Sequence, residues 1–134
     1  MRIDLISIFP DYFAPLRLSL VGKAIETGIL ALGVHDLRDF THDRHRTVDD
    51  TPYGGGAGMV MKPEPFFEAV EGLECGPPIV LLSPRGRTFT QADAFRFAAG
   101  PELTLLHKTE AGDTTAVRPS SPRPTAAEGD CLAR

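Results

Sequence analysis

The sequence predicts an α/β domain built on a largely parallel sheet. Along the first 106 residues the order of elements is strand, helix, strand, loop, helix, strand, helix, strand, the alternation of a layered α/β fold. The clearest strands, Ile3–Phe9 (IDLISIF) and Ile79–Ser83 (IVLLS), are continuous apolar runs. Such runs belong to strands covered on both faces. A hydrophobic content of 42% and a charged content of 24% over 134 residues suit one domain with a real core and are marginal for two. Right-handed crossovers then place helices on both faces of the sheet.

The first strand, residues 3–9, closes at Pro10. Pro15 limits Asp11 to Leu18 to a short helical turn. Ser19 is a capping residue for a helix to about Glu26, with Leu20, Val21, Ala24 and Ile25 as its apolar stripe and Gly28 at its C-terminal end. A second strand spans residues 29–37, where Gly33 marks a bulge or a close approach and His35 is structural. After a long loop, Pro63 and Pro65 suit the first turn of a helix. Phe66, Phe67, Val70 and Leu73 form its buried face. The strand at 79–83 runs straight into the turn Pro84-Arg85-Gly86. Thr90 and Asp93 have the spacing of a capping box for a helix to Ala99, and Leu103–Leu106 (LTLL) is the fourth strand. From His107 the chain is rich in Pro, Ser, Thr and Ala and poor in large apolar residues. Residues 107–134 are therefore expected to be disordered or aberrant in structure, and the ordered unit to be residues 1–106.

A net charge of −4 gives no global field for nucleic acid, so RNA binding would need a local basic patch. Cys75 and Cys131 stand in no metal-binding spacing, which points to free thiols in a cytoplasmic protein and to no metal. No apolar run approaches the ~20 residues of a membrane span, and no signal-peptide pattern precedes the first strand.

The functional signal is concentrated in Arg38–Pro63, RDFTHDRHRTVDDTPYGGGAGMVMKP. It holds three arginines, two histidines, four aspartates and four glycines. Lacking either hydrophobic period, it reads as a loop. A loop of this length is functional or disordered. Phe40, Val48, Tyr53, Met59, Val60 and Met61 can all be buried, which favours an ordered binding loop. The run Tyr53-Gly54-Gly55-Gly56-Ala57-Gly58 permits backbone amides to approach an anion, but as a lone glycine run it is equally a flexible turn. It is neither a P-loop nor a dinucleotide fingerprint. Arg44, His45 and Arg46, with His42, suit phosphate. Taken alone they fit better a solvated face paired with Asp43, Asp49 and Asp50. Those last two aspartates are acid/base groups, metal ligands or turn caps. Leu82, Ser83, Pro84 and Gly86 lie at the carboxyl end of a strand, where open α/β sheets bind ligands. A plain strand-to-helix turn is an equal reading.

Together, ISIFPDYF near the start, DFTHDRHRTVDDTPYGGGAGMVM at Asp39–Met61 and LLSPRGR at Leu81–Arg87 resemble, in the same order, the bacterial tRNA (guanine-N1)-methyltransferases, which act on guanine-37. The resemblance implies a parallel-sheet SPOUT (trefoil-knot) fold, S-adenosyl-L-methionine as methyl donor, tRNA as substrate, and a homodimer whose sites are completed across the interface. It implies cofactor contacts from Leu82, Ser83, Pro84 and Gly86, with Tyr53, Gly54, Gly55 and Gly56 beside them. It implies tRNA contacts from Arg44, His45, Arg46, Gly58 and Met59, and leaves Asp50 as the weak catalytic candidate.

After LTLL the family continues with a motif like CGRYEGID, where this chain reads HKTEAGD. The family's later cofactor segment, its catalytic aspartate and its helical C-terminal domain have no counterpart here. The expectation is an incomplete domain lacking the knot and inactive alone, whether from a shifted reading frame, a truncated gene or a specialised short relative. Two other readings stay open: a non-catalytic RNA-binding or dimerisation fragment, and a small phosphate- or nucleotide-binding α/β protein.

Overall fold

The computed structural model describes residues 1–52, 54–55, 59–83 and 86–108. Four strands form one parallel sheet: β1 (Arg2–Ser7), β2 (Ala31–Asp36), β5 (Ile79–Leu82) and β6 (Glu102–His107), in the order β2-β1-β6-β5. Every pairing in it is parallel, with Ile6 opposite His35 on one side and Leu106 on the other. A two-residue antiparallel ladder, β3 (Asp49–Asp50) with β4 (Val60–Met61), lies inside the long loop. The helices are α1 (Ser19–Glu26), α2 (Glu64–Gly72) and α3 (Gln91–Ala98), with 3-10 segments at Pro10–Arg17 and Leu37–Phe40. The expected four parallel strands are present, each shifted at its ends by one or more residues. The fourth differs most in consequence: β6 includes His107, which the composition had assigned to the tail. Its ring Nδ1 lies 2.9 Å from Ser7 Oγ on β1. Residues 109–134, the rest of the expected disordered tail, lie outside the described residues.

The strand period of two divides the core. Ile6 and Leu106 face α2, in a cluster with Ile8, Leu37, Val48, Met61 and Ala69. Ile3, Leu103, Leu105 and Val80 face the opposite way and pack with Phe97 of α3. Helices thus cover both faces. Full burial of a side chain such as Ile6, 0% exposed, contributes roughly 1.5–3 kcal/mol. Beside Ile6, on the same face, Asp4 is buried and bonded to His35 (2.8 Å) and Arg2 (2.6 Å), and Arg2 donates onward to the Leu73 carbonyl at the end of α2. His35 is structural, as expected. The close approach expected at Gly33 is this network: a Cβ there would sit 2.5 Å from Asp4 Oδ1 and 2.6 Å from His35 Nε2.

The sequence reading needs three corrections among the helices. Ser19 does not cap α1; Leu18 occupies the cap without a side-chain bond. The stripe expected to bury α1 is largely open, with Leu20 78% exposed; only Gly22 is buried, against the Arg17 carbonyl. Phe67 of α2 is 43% exposed, and Pro65 and Ala69 take the buried positions. Those two are four apart and share a face that Phe67, one residue further round than Phe66, turns away from.

Helix α2 ends in a Schellman arrangement: Cys75 N–H donates to the Val70 carbonyl at 2.9 Å and Glu74 N–H to Glu71 at 3.1 Å. This puts exposed Glu74 at φ 51°, where glycine is the usual residue. Two substitutions should therefore move stability in opposite directions. Glu74→Gly is expected to stabilise by up to about 1 kcal/mol. Gly22→Ala, whose Cβ meets backbone, is expected to cost about 1–3 kcal/mol. Thermal unfolding reads both, at about 4–8 °C per kcal/mol; equal melting temperatures would overturn the geometric argument.

Candidate functional site

Parallel pairing brings every strand's carboxyl end to one rim of the sheet. From that rim the two sequence-predicted segments depart: the long loop after β2 and the turn after β5.

The described residues of the loop are held by what they bury. Val48 and Met61 enter the core beneath α2, Lys62 N–H donates to the Val48 carbonyl at 2.7 Å, and β3 with β4 ties the strands of the loop together. Asp43 closes the tip, accepting from Thr47 N–H (2.9 Å) and Thr47 Oγ1 (2.7 Å). Those bonds, the hydroxyl's foremost, hold its carboxyl below the usual carboxylate range. Between this loop and α2 lies an open cavity of about 480 Å³, within the range of ligand sites. Among its lining are His42, Asp43, Asp50, Lys62 and Glu68, and His42 Nε2 lies 2.6 Å from Glu68 Oε2 at the mouth. Lys62 and Glu68 carried no sequence signal: the cavity forms only when α2 folds back on the loop. Among the described residues no cluster of three His, Cys, Asp or Glu side chains could hold a metal, and no helix is long and apolar enough to cross a membrane.

The predicted loop residues separate in this setting. Arg44 and His45 are exposed. Arg46, at φ 52°, is bound to the Asp39 carboxylate and the Arg38 carbonyl; it is paired, but with Asp39 rather than with the expected Asp43, Asp49 or Asp50. Asp50 is exposed and accepts from Thr51 N–H at 2.7 Å. Gly54 and Gly55 have φ of 90° and 77° with open space around them, as a glycine run that presents backbone requires. Met59 is exposed. Tyr53, Gly56 and Gly58 lie outside the described residues.

At the other segment, Leu82 is half-exposed and Gly86 N–H donates to the Ser83 carbonyl at 3.0 Å, closing a tight turn. Pro84 lies outside the described residues. The turn is clamped to α3 by Asp93. This buried carboxylate takes Arg87 bidentately (2.8 and 2.5 Å), Thr90 N–H (2.9 Å) and Thr90 Oγ1 (2.7 Å), and Arg96 at 3.2 Å. The capping box expected at Thr90 and Asp93 is complete. The Arg87 fork, then Thr90, hold the Asp93 carboxyl far below the ordinary carboxylate range against the opposing effect of burial.

A sequence profile described as tRNA (Guanine-1)-methyltransferase TrmD matches residues 1–116. The chain belongs to this family. Proteins named tRNA (guanine-N(1)-)-methyltransferase align with it from Leifsonia xyli subsp. xyli (60% identity over 108 residues), Salinispora tropica (61% over 107) and Paenarthrobacter aurescens (57% over 110). Those alignments cover 77–78% of this chain and 41–48% of the relatives. The chain thus spans less than half the length of these relatives. The family match runs past Leu106, the expected limit of the resemblance.

The two segments that the family resemblance sets beside one cofactor leave the sheet at opposite edges, since β2 and β5 are its outer strands. Three inter-strand spacings, about 14 Å, separate those strands. Neither Leu82, Ser83 nor Gly86 lines the cavity beneath the loop.

The Asp93 clamp has a pH signature. A carboxyl with a depressed folded pKa stabilises fully above its ordinary value of 3.8 and loses that contribution as pH falls below it. Asp93→Asn is expected to lower the melting temperature at pH 7. The gap from the unsubstituted protein should narrow as pH drops from about 5 towards 2. A gap independent of pH would remove the ionised clamp from the account.

Proposed function

We propose that this chain is part of an S-adenosyl-L-methionine-dependent tRNA methyltransferase acting on N1 of guanine-37. The supporting observation is the clamped Ser83–Gly86 turn at the carboxyl end of β5, in a parallel sheet, in a chain of this family. That is where open α/β sheets hold their ligands. Half-exposed Leu82 and the tight turn fit one wall of a site for the adenosyl group; when bound, this cofactor supplies the methyl group. Ser83 and Gly86 position that wall, with Pro84 between them in sequence. The loop carries the tRNA contacts, through Arg44 and His45 first and through Gly58 and Met59 beside them. Arg46 joins them by exchanging Asp39 for a phosphate. The family's catalytic aspartate has no counterpart in this sequence, and Asp50, exposed on the cavity, is only a weak candidate to accept the N1 proton.

The opposite-edge placement of loop and turn supports a shared site, in which the loop of one copy, with Tyr53 and Gly54–Gly56, reaches the turn of a second. A SPOUT-type domain, incomplete here and lacking the knot, and the homodimer of the intact family are parts of this same reading. With less than half the relatives' length present, these 134 residues alone are expected to bind RNA but not to turn over.

Two measurements test this. Arg44→Ala should weaken binding of a tRNA bearing unmodified guanine-37 and lower the log–log salt slope by about one unit; an unchanged slope removes Arg44 from the phosphate contacts. Incubation with labelled S-adenosyl-L-methionine and the same tRNA should give no methyl incorporation by this polypeptide, and turnover at ordinary enzymatic rates would overturn that expectation. Calorimetry with S-adenosyl-L-methionine against nucleoside phosphates separates the methyltransferase reading from a phosphate-binding one.

A further inference from the structure

At the rim of the sheet, between the loop and the turn, stands a group of aromatic rings that neither segment uses. It is built from the carboxyl ends of the two central strands. Ser7, fully buried at the end of β1, lies 2.9 Å from His107 Nδ1 at the end of β6, and Phe9 N–H donates to the same Ser7 hydroxyl at 3.0 Å. One side chain therefore fixes both the imidazole and the chain that leads into the 3-10 segment Pro10–Arg17. From that segment Phe13 packs edge-on against the imidazole, with centroids 5.4 Å apart and planes at 86°. Tyr12 lies parallel to His107 at 5° and packs edge-on to Phe13. Yet Tyr12 is 74% and Phe9 52% exposed.

Such exposure is unusual for rings held this firmly. An aromatic retained only for the core would turn inward, and a surface tyrosine with no role would not need two rings and a buried serine to set its plane. An oriented ring whose conformation is already fixed loses little entropy when a planar group stacks on it. Phe9 follows Ile8, whose carbonyl accepts from Arg38 at 2.5 Å, and Arg17 ends the 3-10 segment. Arg38 therefore lies against the chain that leads into the rings, and Asp11 adjoins Tyr12 in sequence.

We infer that Tyr12, supported by His107 and Phe13, is a stacking platform for an unpaired nucleobase of the RNA substrate. The inference rests on the reading of this chain as RNA-binding and adds to it a base-contacting surface at the centre of the rim. Base–aromatic stacking tolerates any base, because each presents a π-face. The platform therefore holds a splayed loop nucleotide without selecting its identity.

The chain has no tryptophan and two tyrosines, so with the unsubstituted protein as the reference protein, the part of its tyrosine emission that Tyr12→Phe removes belongs to Tyr12. A stem-loop RNA with unpaired guanines in its loop should quench Tyr12 emission saturably. Tyr12→Ala should weaken that RNA's binding roughly five- to hundredfold, with unchanged circular dichroism because the side chain is exposed, whereas Tyr12→Phe should keep the reference affinity. RNA binding without quenching, or with equal affinity in Tyr12→Ala, overturns the platform and leaves the family function standing. Failure of the reference protein to bind the RNA overturns both. Acrylamide access to Tyr12 in the RNA-free protein separates the remaining occupants. Access lost as protein concentration rises assigns the rings to a second copy, and access absent at every dilution assigns them to this chain's own remaining residues; either result overturns the inference.

Discussion

Everything that bears on function here depends on the parallel pairing of β1 with a neighbour on each side. Parallel strands share a direction, so their carboxyl ends share a rim. Ser7, Asp36, Leu82 and His107 end their strands there, and the long loop, the aromatic rings and the turn after β5 all begin there. An antiparallel neighbour would have sent one of these segments to the far side of the sheet. The pairing is secured on one face by α2 over Ile6 and Leu106 and on the other by α3 over Val80 and Leu103. It is secured laterally by the Arg2–Asp4–His35 network, which joins β1 to the edge strand β2. Inside a sheet that network is costly to leave unsatisfied, so it also fixes which register β2 adopts.

How legible the structure was depends on the range of the interaction. The capping box at Thr90 and Asp93 could be read because its partners are three residues apart and its geometry is local. The strand at Ile79 could be read because an apolar run bounded by prolines has few alternatives. Gly33 showed itself because a glycine inside a strand needs a reason. The open stripe of α1 could not be foreseen. Helical periodicity says which residues share a face, and nothing in it says whether another element arrives to cover that face. Phe67 was misplaced for a related reason, since two adjacent phenylalanines cannot both face one core.

The candidate site was legible in its parts and not in its arrangement. The sequence singled out the arginines, the glycine run and the strand-end turn. It could not show that Arg46 is already occupied by Asp39 while Arg44 is exposed. Nor could it show that Arg87 and Asp93 clamp the turn, because Arg87 stands in irregular chain six residues ahead of its partner in α3. The cavity beneath the loop escaped notice because part of its lining, Glu64, Pro65 and Glu68, comes from α2. His107 was assigned to the tail on composition alone, although its ring meets Ser7 a hundred positions earlier.

That last separation has a consequence for how the molecule is made. Of the strands described, β1 is made before the others, and one of its two neighbours, β6, is made after them. Contacts between residues 2–6 and 102–106 give the chain a high contact order, so its loop-closure entropy must be overcome late. During translation, Ile3 and Leu5 can find β2 early, but the other edge of β1 stays open until β6 leaves the ribosome. For that interval the nascent chain carries an unpaired apolar strand edge, the kind of surface on which chaperones and misassembly compete. Placing β1 between β2 and β6 shields both of its edges in the folded sheet, and makes the growing chain dependent on a strand that comes a hundred residues later.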